Sequence, residues 1–166
     1  MSETIEKIGR EIERGSRIIS LSGLTSTSAK AQVLARLYAA TGRKFVVVAD
    51  TNSELDVWRS DLEFFLSNGE RAAEIVSFPS FTTDPYSGAS PHAETQEERA
   101  LALWRLTSGR GDIVITCARA LVQRTVTRDE VGQLGYVLEL GSDTPPEDIV
   151  DRLAATGYVQ IGRAHV

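Results

Sequence analysis

Cysteine, histidine and methionine are nearly missing from this sequence. Its 166 residues hold one cysteine, Cys117, one methionine and two histidines, His92 and His165. A lone cysteine excludes an internal disulfide framework and fits a reducing cytosol. So few soft ligands leave no cluster with metal-ligand spacing. A Ser-His-Asp site would have to use His92, in a Pro/Ser-rich stretch. Ser20-Leu21-Ser22-Gly23-Leu24 also lacks the first glycine of a nucleophile elbow, so hydrolase chemistry is poorly served. Cys117 follows an apolar run, where a cysteine is usually inert packing. No apolar run approaches the roughly 20 residues of a membrane span, and no membrane partner is expected. The start, Met-Ser-Glu-Thr-Ile-Glu-Lys, is too acidic for a signal peptide, and a cytoplasmic location is expected. Basic charge is scarce as well. Eighteen Lys and Arg face 23 Asp and Glu, for a net charge of -5 and a pI near 5.1. That argues against a broad nucleic-acid surface and leaves a local one open.

What is present is ordinary for a soluble globular chain, 42% hydrophobic and 25% charged. The length suits one domain, or one domain and part of another. Ile5, Ile8 and Ile12 recur at helical spacing over 4–14, with Gly15 as a stop. Strands and helices then alternate. Strands are expected over 17–21, 45–49, 74–78 and 112–116, and helices over 29–40, 53–67 and 96–107. The inward faces carry Val33, Leu34, Leu37 and Tyr38, then Leu55, Trp58, Leu62 and Phe65, then Ala100, Leu103, Trp104 and Leu106. Phe45-Val46-Val47-Val48-Ala49 is continuously apolar, the pattern of a strand covered on both faces. The whole reads as an α/β fold with a mainly parallel sheet flanked by helices. Four S/T-x-x-E pairs mark helix starts: Thr51 with Glu54, Thr95 with Glu98, Thr127 with Glu130 and Thr144 with Glu147. After Arg124 the pattern changes. A short helix over 127–133, a strand over 136–140 and a helix over 145–155 with Ile149, Val150 and Leu153 inward are expected. Gly157 is the C′ residue and Tyr158-Val159 the beginning of a strand. The expected division is a domain over 1–125, a partial second small α/β domain over 126–160, and a tail over 161–166. That tail, Ile161-Gly162-Arg163-Ala164-His165-Val166, is the literal translation of a common sequencing-library adapter. It is set apart as non-native.

One motif carries most of the chemical information. Ile18-Ile19-Ser20-Leu21 runs into Ser22-Gly23-Leu24-Thr25-Ser26-Thr27-Ser28-Ala29-Lys30, and a helix follows. A working phosphate loop reads G-x-x-x-x-G-K-[ST]. Counting from Gly23, Ser28 replaces the second glycine, Ala29 the lysine and Lys30 the hydroxyl residue. Ser28 hinders the backbone curl around phosphate oxygens. Ala29 cannot reach a β- or γ-phosphate, and Lys30 would repel magnesium where a hydroxyl should ligate it. Lys30 also stands about 100° further round the helix. The helix N-terminus still favours an anion. The competing reading is an ordinary strand-to-helix turn that never held a nucleotide. Asp50, at a strand end, has a magnesium-holding reading and a stronger one as a residue before a helix cap. A motor ATPase needs a phosphate loop and such an acid together, and neither is convincing here. The other unusual stretch is the long segment from Phe78 to His92. Its Phe81 and Tyr86 have two readings: stacking on a base or partner, or folding back on the domain.

In order and spacing these pieces resemble the N-terminal region of the bacterial transcription-repair coupling factor family, itself similar to the damage-recognition protein UvrB. The matching pieces are Leu21-Ser22-Gly23-Leu24-Thr25, Ser28-Ala29-Lys30-Ala31, Gly42-Arg43 and Trp58-Arg59-Ser60-Asp61-Leu62-Glu63-Phe64-Phe65. Further on come Phe78-Pro79, Pro85-Tyr86 to Ser90-Pro91, Glu98-Arg99-Ala100-Leu101, Ala118-Arg119-Ala120-Leu121-Val122-Gln123-Arg124, and Leu153 to Gly157-Tyr158. The resemblance implies a RecA-like, P-loop-derived domain without ATPase function. Gly23, Ser28, Ala29 and Lys30 are then a vestigial loop that binds no cofactor, metal or substrate. UvrB keeps an intact loop and an aromatic-rich DNA-gripping hairpin where this chain has only Phe81 to Glu94. The implied role is to dock UvrA and to hold a downstream motor in check. Strands beyond Tyr158 would make the UvrA contact. ATP, magnesium, RNA polymerase and DNA would engage downstream regions alone. The alternative is a nucleotide-dependent, damaged-DNA-binding enzyme fragment of UvrB type. A third expectation, a free-standing small α/β enzyme, requires a polar pocket around His92.

Overall fold

β-branched runs separated by amphipathic helices build a parallel sheet in the first part of the chain. The computed structural model describes residues 2–67, 72–84 and 86–158. Pro85, Val159, Gln160 and the 161–166 tail with His165 lie outside the described residues. The chain divides into two compact units, one ending at Arg124 and one beginning at Thr125.

In the first unit, α1 (Ser2–Glu13) is followed by α2 (Thr27–Thr41), β1 (Phe45–Ala49), α3 (Ser53–Ser67), β2 (Ile75–Phe78), α4 (Ala93–Thr107), β3 (Ile113–Cys117) and α5 (Ala118–Val122). The strands form one parallel sheet in the order β1-β3-β2. Its register places Val46 beside Val114 and Val48 beside Thr116, with Val76 and Phe78 on the far side of β3. One face packs on α2 and α3 through Val47, Ala49, Ile113 and Ile115 against Ala31, Ala35, Tyr38, Leu55 and Leu62. On the other face, Val76 and Phe78 pack with Ala102 of α4 and Ala120 of α5. A third cluster joins α1 to α2 through Ile5, Ile8 and Leu37. Burying a side chain as completely as Leu62 or Ile115 contributes about 1.5–3 kcal/mol, so this core dominates the unit.

The helix ends follow from local chemistry. Gly15, at φ +80°, ends α1 as Ser16 N–H donates to Glu11 O (3.0 Å) and Gly15 N–H to Ile12 O (3.1 Å). Only one of the four expected capping boxes forms, Thr127 with Glu130. Thr51 Oγ1 bonds Ser53 Oγ instead (2.8 Å), and α4 starts at Ala93, which puts Thr95 inside the helix. Thr144 lies before Pro145, the N-cap of the last helix, and bonds Tyr136 and Ser142.

Three further expectations are corrected. Residues 17–21 form no strand. β1 is covered on one face only, with Val46 63% and Val48 52% exposed, because it is an edge strand and no described helix of the first unit packs over that face. On α4 the buried positions are Arg99 and Ala102, while Ala100 is exposed.

The second unit holds α6 (Arg128–Leu134) and α7 (Pro146–Ala155). The strand expected over 136–140 is absent, and α7 buries none of its residues, Ile149, Val150 and Leu153 included. Gly157, at φ +92°, is the C′ residue: its N–H donates to Ala154 O (3.0 Å) and Tyr158 N–H to Leu153 O (3.0 Å).

Candidate functional site: the loop before α2 and the strand ends

Leu21 to Ser26 leads into α2 without a preceding strand, so the loop lacks the rigid strand end on which a phosphate cradle is built. Gly23 keeps a left-handed backbone at φ +84°, with open space where a Cβ would stand. Ser26 is the N-cap of α2, and its Oγ accepts from Ala29 N–H (3.2 Å). One of the amides that an anion would use is therefore satisfied from within the loop. Ser28, in the place of the second glycine, donates from Oγ to Asp61 Oδ2 of α3 (2.8 Å). A carboxylate thus stands beside the helix end that would otherwise attract phosphate, and like charges repel at this range. Ala29 brings no charge. Lys30 is exposed and is one of the residues lining a groove of about 360 Å³, with Leu21, Leu24, Val33, Val47 and Trp58. The structure therefore brings Ser28 and Ala29 to the helix start and leaves Lys30 exposed at a largely apolar groove. Asp61 was not foreseen as a site residue, since the contact spans 33 positions and no local pattern announces it.

A second cluster gathers at the carboxyl ends of the strands, where open parallel sheets commonly bind ligands. Asn52 holds it together. Its Oδ1 accepts from Ser80 N–H (2.8 Å), Ser80 Oγ (3.0 Å) and Cys117 Sγ (3.3 Å), and its Nδ2 donates to Ser80 O (2.7 Å). Next to it, the Arg99 guanidinium lies between the rings of Phe78 (4.1 Å) and Phe81 (4.4 Å). Its Nη1 donates to Pro79 O (2.5 Å). Burial lowers the Arg99 pKa from its ordinary value, and the Cys117 side chain opposes that shift. Gln123 pairs with the Phe81 backbone in both directions, at 2.9 and 3.0 Å. Phe81 thus folds back on the domain and roots the long loop. Tyr86 does not, and is 94% exposed.

The side chains of Asn52, Ser80, Arg99, Cys117 and Gln123 each bond within the protein itself. His92 is the exposed N-cap of α4 and makes no capping bond with its side chain. Cys117 is buried and bonded to an amide rather than to a base. Among the described residues no group of three or more His, Cys, Asp or Glu is placed to hold a metal ion. Nor is any helix among them long and apolar enough to cross a membrane.

No family model matches the chain. Over 151 residues, 89% of the chain, the sequence is 30% identical to the transcription-repair-coupling factor of Myxococcus xanthus. The chain spans only 12% of that relative's length. The resemblance read from the order of the motifs therefore holds across nearly the whole chain.

Proposed function

We propose that the chain is an N-terminal piece of a transcription-repair coupling factor, acting in DNA repair as a non-catalytic docking and autoinhibitory module. Its proposed partners are UvrA and the motor domains of the parent protein. RNA polymerase and DNA engage the parent through other regions. The module itself takes no ATP or magnesium. The observation that carries this reading is the state of the phosphate loop. Ser26 caps its own helix, Asp61 sets a negative charge beside the helix start through Ser28, and Ala29 stands where the loop lysine would be. A nucleotide would have to displace the first, approach the second and do without the lysine. The similarity to a coupling factor supplies the repair context. A cytoplasmic location follows from that role.

Titration with ATP and magnesium, followed by calorimetry, tests the non-catalytic half. The expected result is no saturable heat at millimolar nucleotide. Micromolar, magnesium-dependent binding that Lys30→Ala abolishes would defeat the reading. Capture of purified UvrA by the longer protein tests the docking half. Failure of that capture would leave the module without its proposed partner.

A further inference from the structure

The ladder between β2 and β3 ends at Phe78, and the residues that follow are bonded by side chains instead. Thr116 Oγ1 of β3 donates to Phe78 O (2.8 Å). Arg99 Nη1 of α4 donates to Pro79 O. The carboxamide of Asn52, just before α3, accepts from Ser80 N–H and donates to Ser80 O. The carboxamide of Gln123 accepts from Phe81 N–H and donates to Phe81 O. Each carboxamide thus meets one residue as a neighbouring strand would, acceptor to donor and donor to acceptor. Buried backbone groups need such partners, and Ser80 is 3% exposed. Pro79-Ser80-Phe81 is a strap held by side chains from three different elements.

Gln123 has a second task. It is the C-cap of α5, a helix of only five residues. A helix so short does not hold by itself. Ala120 is its one buried residue, while Leu121 and Val122 are exposed. Its apolar anchor is therefore a single methyl side chain. At its other end Cys117, the N-cap, bonds the same Asn52 Oδ1 that holds Ser80. Both ends of α5 are tied to the strap, and the first unit ends at Arg124, just after Gln123.

We infer that the strap and α5 open and close together, with Gln123 as the joint between them and Arg99 as the brace on the far side. The fold thereby carries a conformational device. Tension on the loop beyond Phe81 loosens α5, the last helix before the chain leaves the first unit. Tension on that exit loosens the loop by the same coupling, since coupling between two sites is reciprocal. Arg99 acts on the strap by stacking on Phe78 and Phe81 and bonding Pro79 O. Its effect on α5 runs through Phe81 and Gln123. The inference stands on these bonds and does not rest on the coupling-factor reading.

Limited trypsin digestion of the 166-residue chain tests this, with cutting after Arg119 followed by mass spectrometry. Arg119 is exposed, but its bond to Ala120 lies inside α5 and Ala120 is buried, so the cut reports the opening of α5. At low protease its rate follows the population of the open form. Gln123→Ala should raise that rate by about tenfold. Arg99→Lys, which alters no residue of α5, should raise it by about as much. Added to Gln123→Ala, Arg99→Lys should contribute less than about threefold more, because the joint is already lost. Val47→Ala weakens the core on the opposite face of the sheet and should change the rate by less than about twofold. A cut unmoved by either single variant overturns the inference. So does a double variant whose rise is the product of the two singles, because strap and helix then act separately. An equal rise in Val47→Ala overturns it as well, since α5 would then open only with the whole unit.

Discussion

At the scale of single residues, the sharpest feature is a guanidinium in the interior with no carboxylate to answer it. Arg99 is 4% exposed, and among the described residues no acidic side chain forms an ion pair with it. An unpaired buried charge is costly, so other groups must compensate. Two aromatic faces and the Pro79 carbonyl do so, and all three contacts depend on the flat, forked shape of arginine. Arg99→Lys keeps the charge but loses the double stack. It should lower stability by about 1–2 kcal/mol in urea unfolding of the chain, with unchanged secondary structure by circular dichroism. The backbone at Phe81 should also exchange faster, since its ring would lose the group it packs on. In the sequence Arg99 stood out only as a helix residue within the family-like stretch Glu98-Arg99-Ala100-Leu101, with no role of its own. Its role emerges when the turn after β2 brings Phe78, Pro79 and Phe81 around it, and nothing in helical spacing encodes that turn.

At the scale of elements, the legible parts are those whose signals are local. α2, α3 and α4 carry apolar residues at helical spacing, and β3 is a buried apolar run, so all four are readable in one dimension. Residues 17–21 have a strand's composition but no strand: they pair with no edge of the sheet, and composition alone does not make a ladder. The capping boxes teach the same lesson at shorter range. Thr95 and Thr144 have glutamate at the right offset, but the helices start elsewhere, at Ala93 and Pro146. Thr127 and Glu130 do form the reciprocal pair. Glu130 Oε2 accepts from Thr127 N–H (2.6 Å) and Thr127 Oγ1 (2.8 Å). These bonds hold its carboxyl below the ordinary value of 4.5, the backbone bond first. A depressed carboxylate contributes stability that is present above its unfolded-state pKa and is lost as pH falls through its folded-state pKa. α6 should therefore keep its capped start above pH 4.5 and fray progressively below it. The Val131 amide, followed by NMR through an acid titration, should report that step. Glu130→Gln, which can still accept from Thr127 N–H, should remove the step without abolishing the helix.

At the scale of the whole molecule, the two units differ in how much they bury. The first has three apolar clusters around a sheet. In the second, Val131 is the one buried apolar residue among those described, and α7 buries none. The sequence showed an amphipathic α7 with Ile149, Val150 and Leu153 on one face. It could not show that no partner surface would meet that face within the second unit. A unit this short, with so little apolar area removed from water, has a small free energy of closure. Its amides should open locally long before the sheet does. The amides of α7 should therefore exchange orders of magnitude faster than those of Ile113 and Ile115 in β3. Proteolysis gives an independent measure, because Arg124 and Arg128 are exposed at the junction. Brief trypsin treatment should cut there first and leave a product ending near Arg124 that still unfolds cooperatively. Protection in α7 equal to that in β3, or cleavage inside the first unit before the junction is cut, would mean that the second unit is as stable as the first. The free apolar face of α7 would then have to be covered by something other than its own unit.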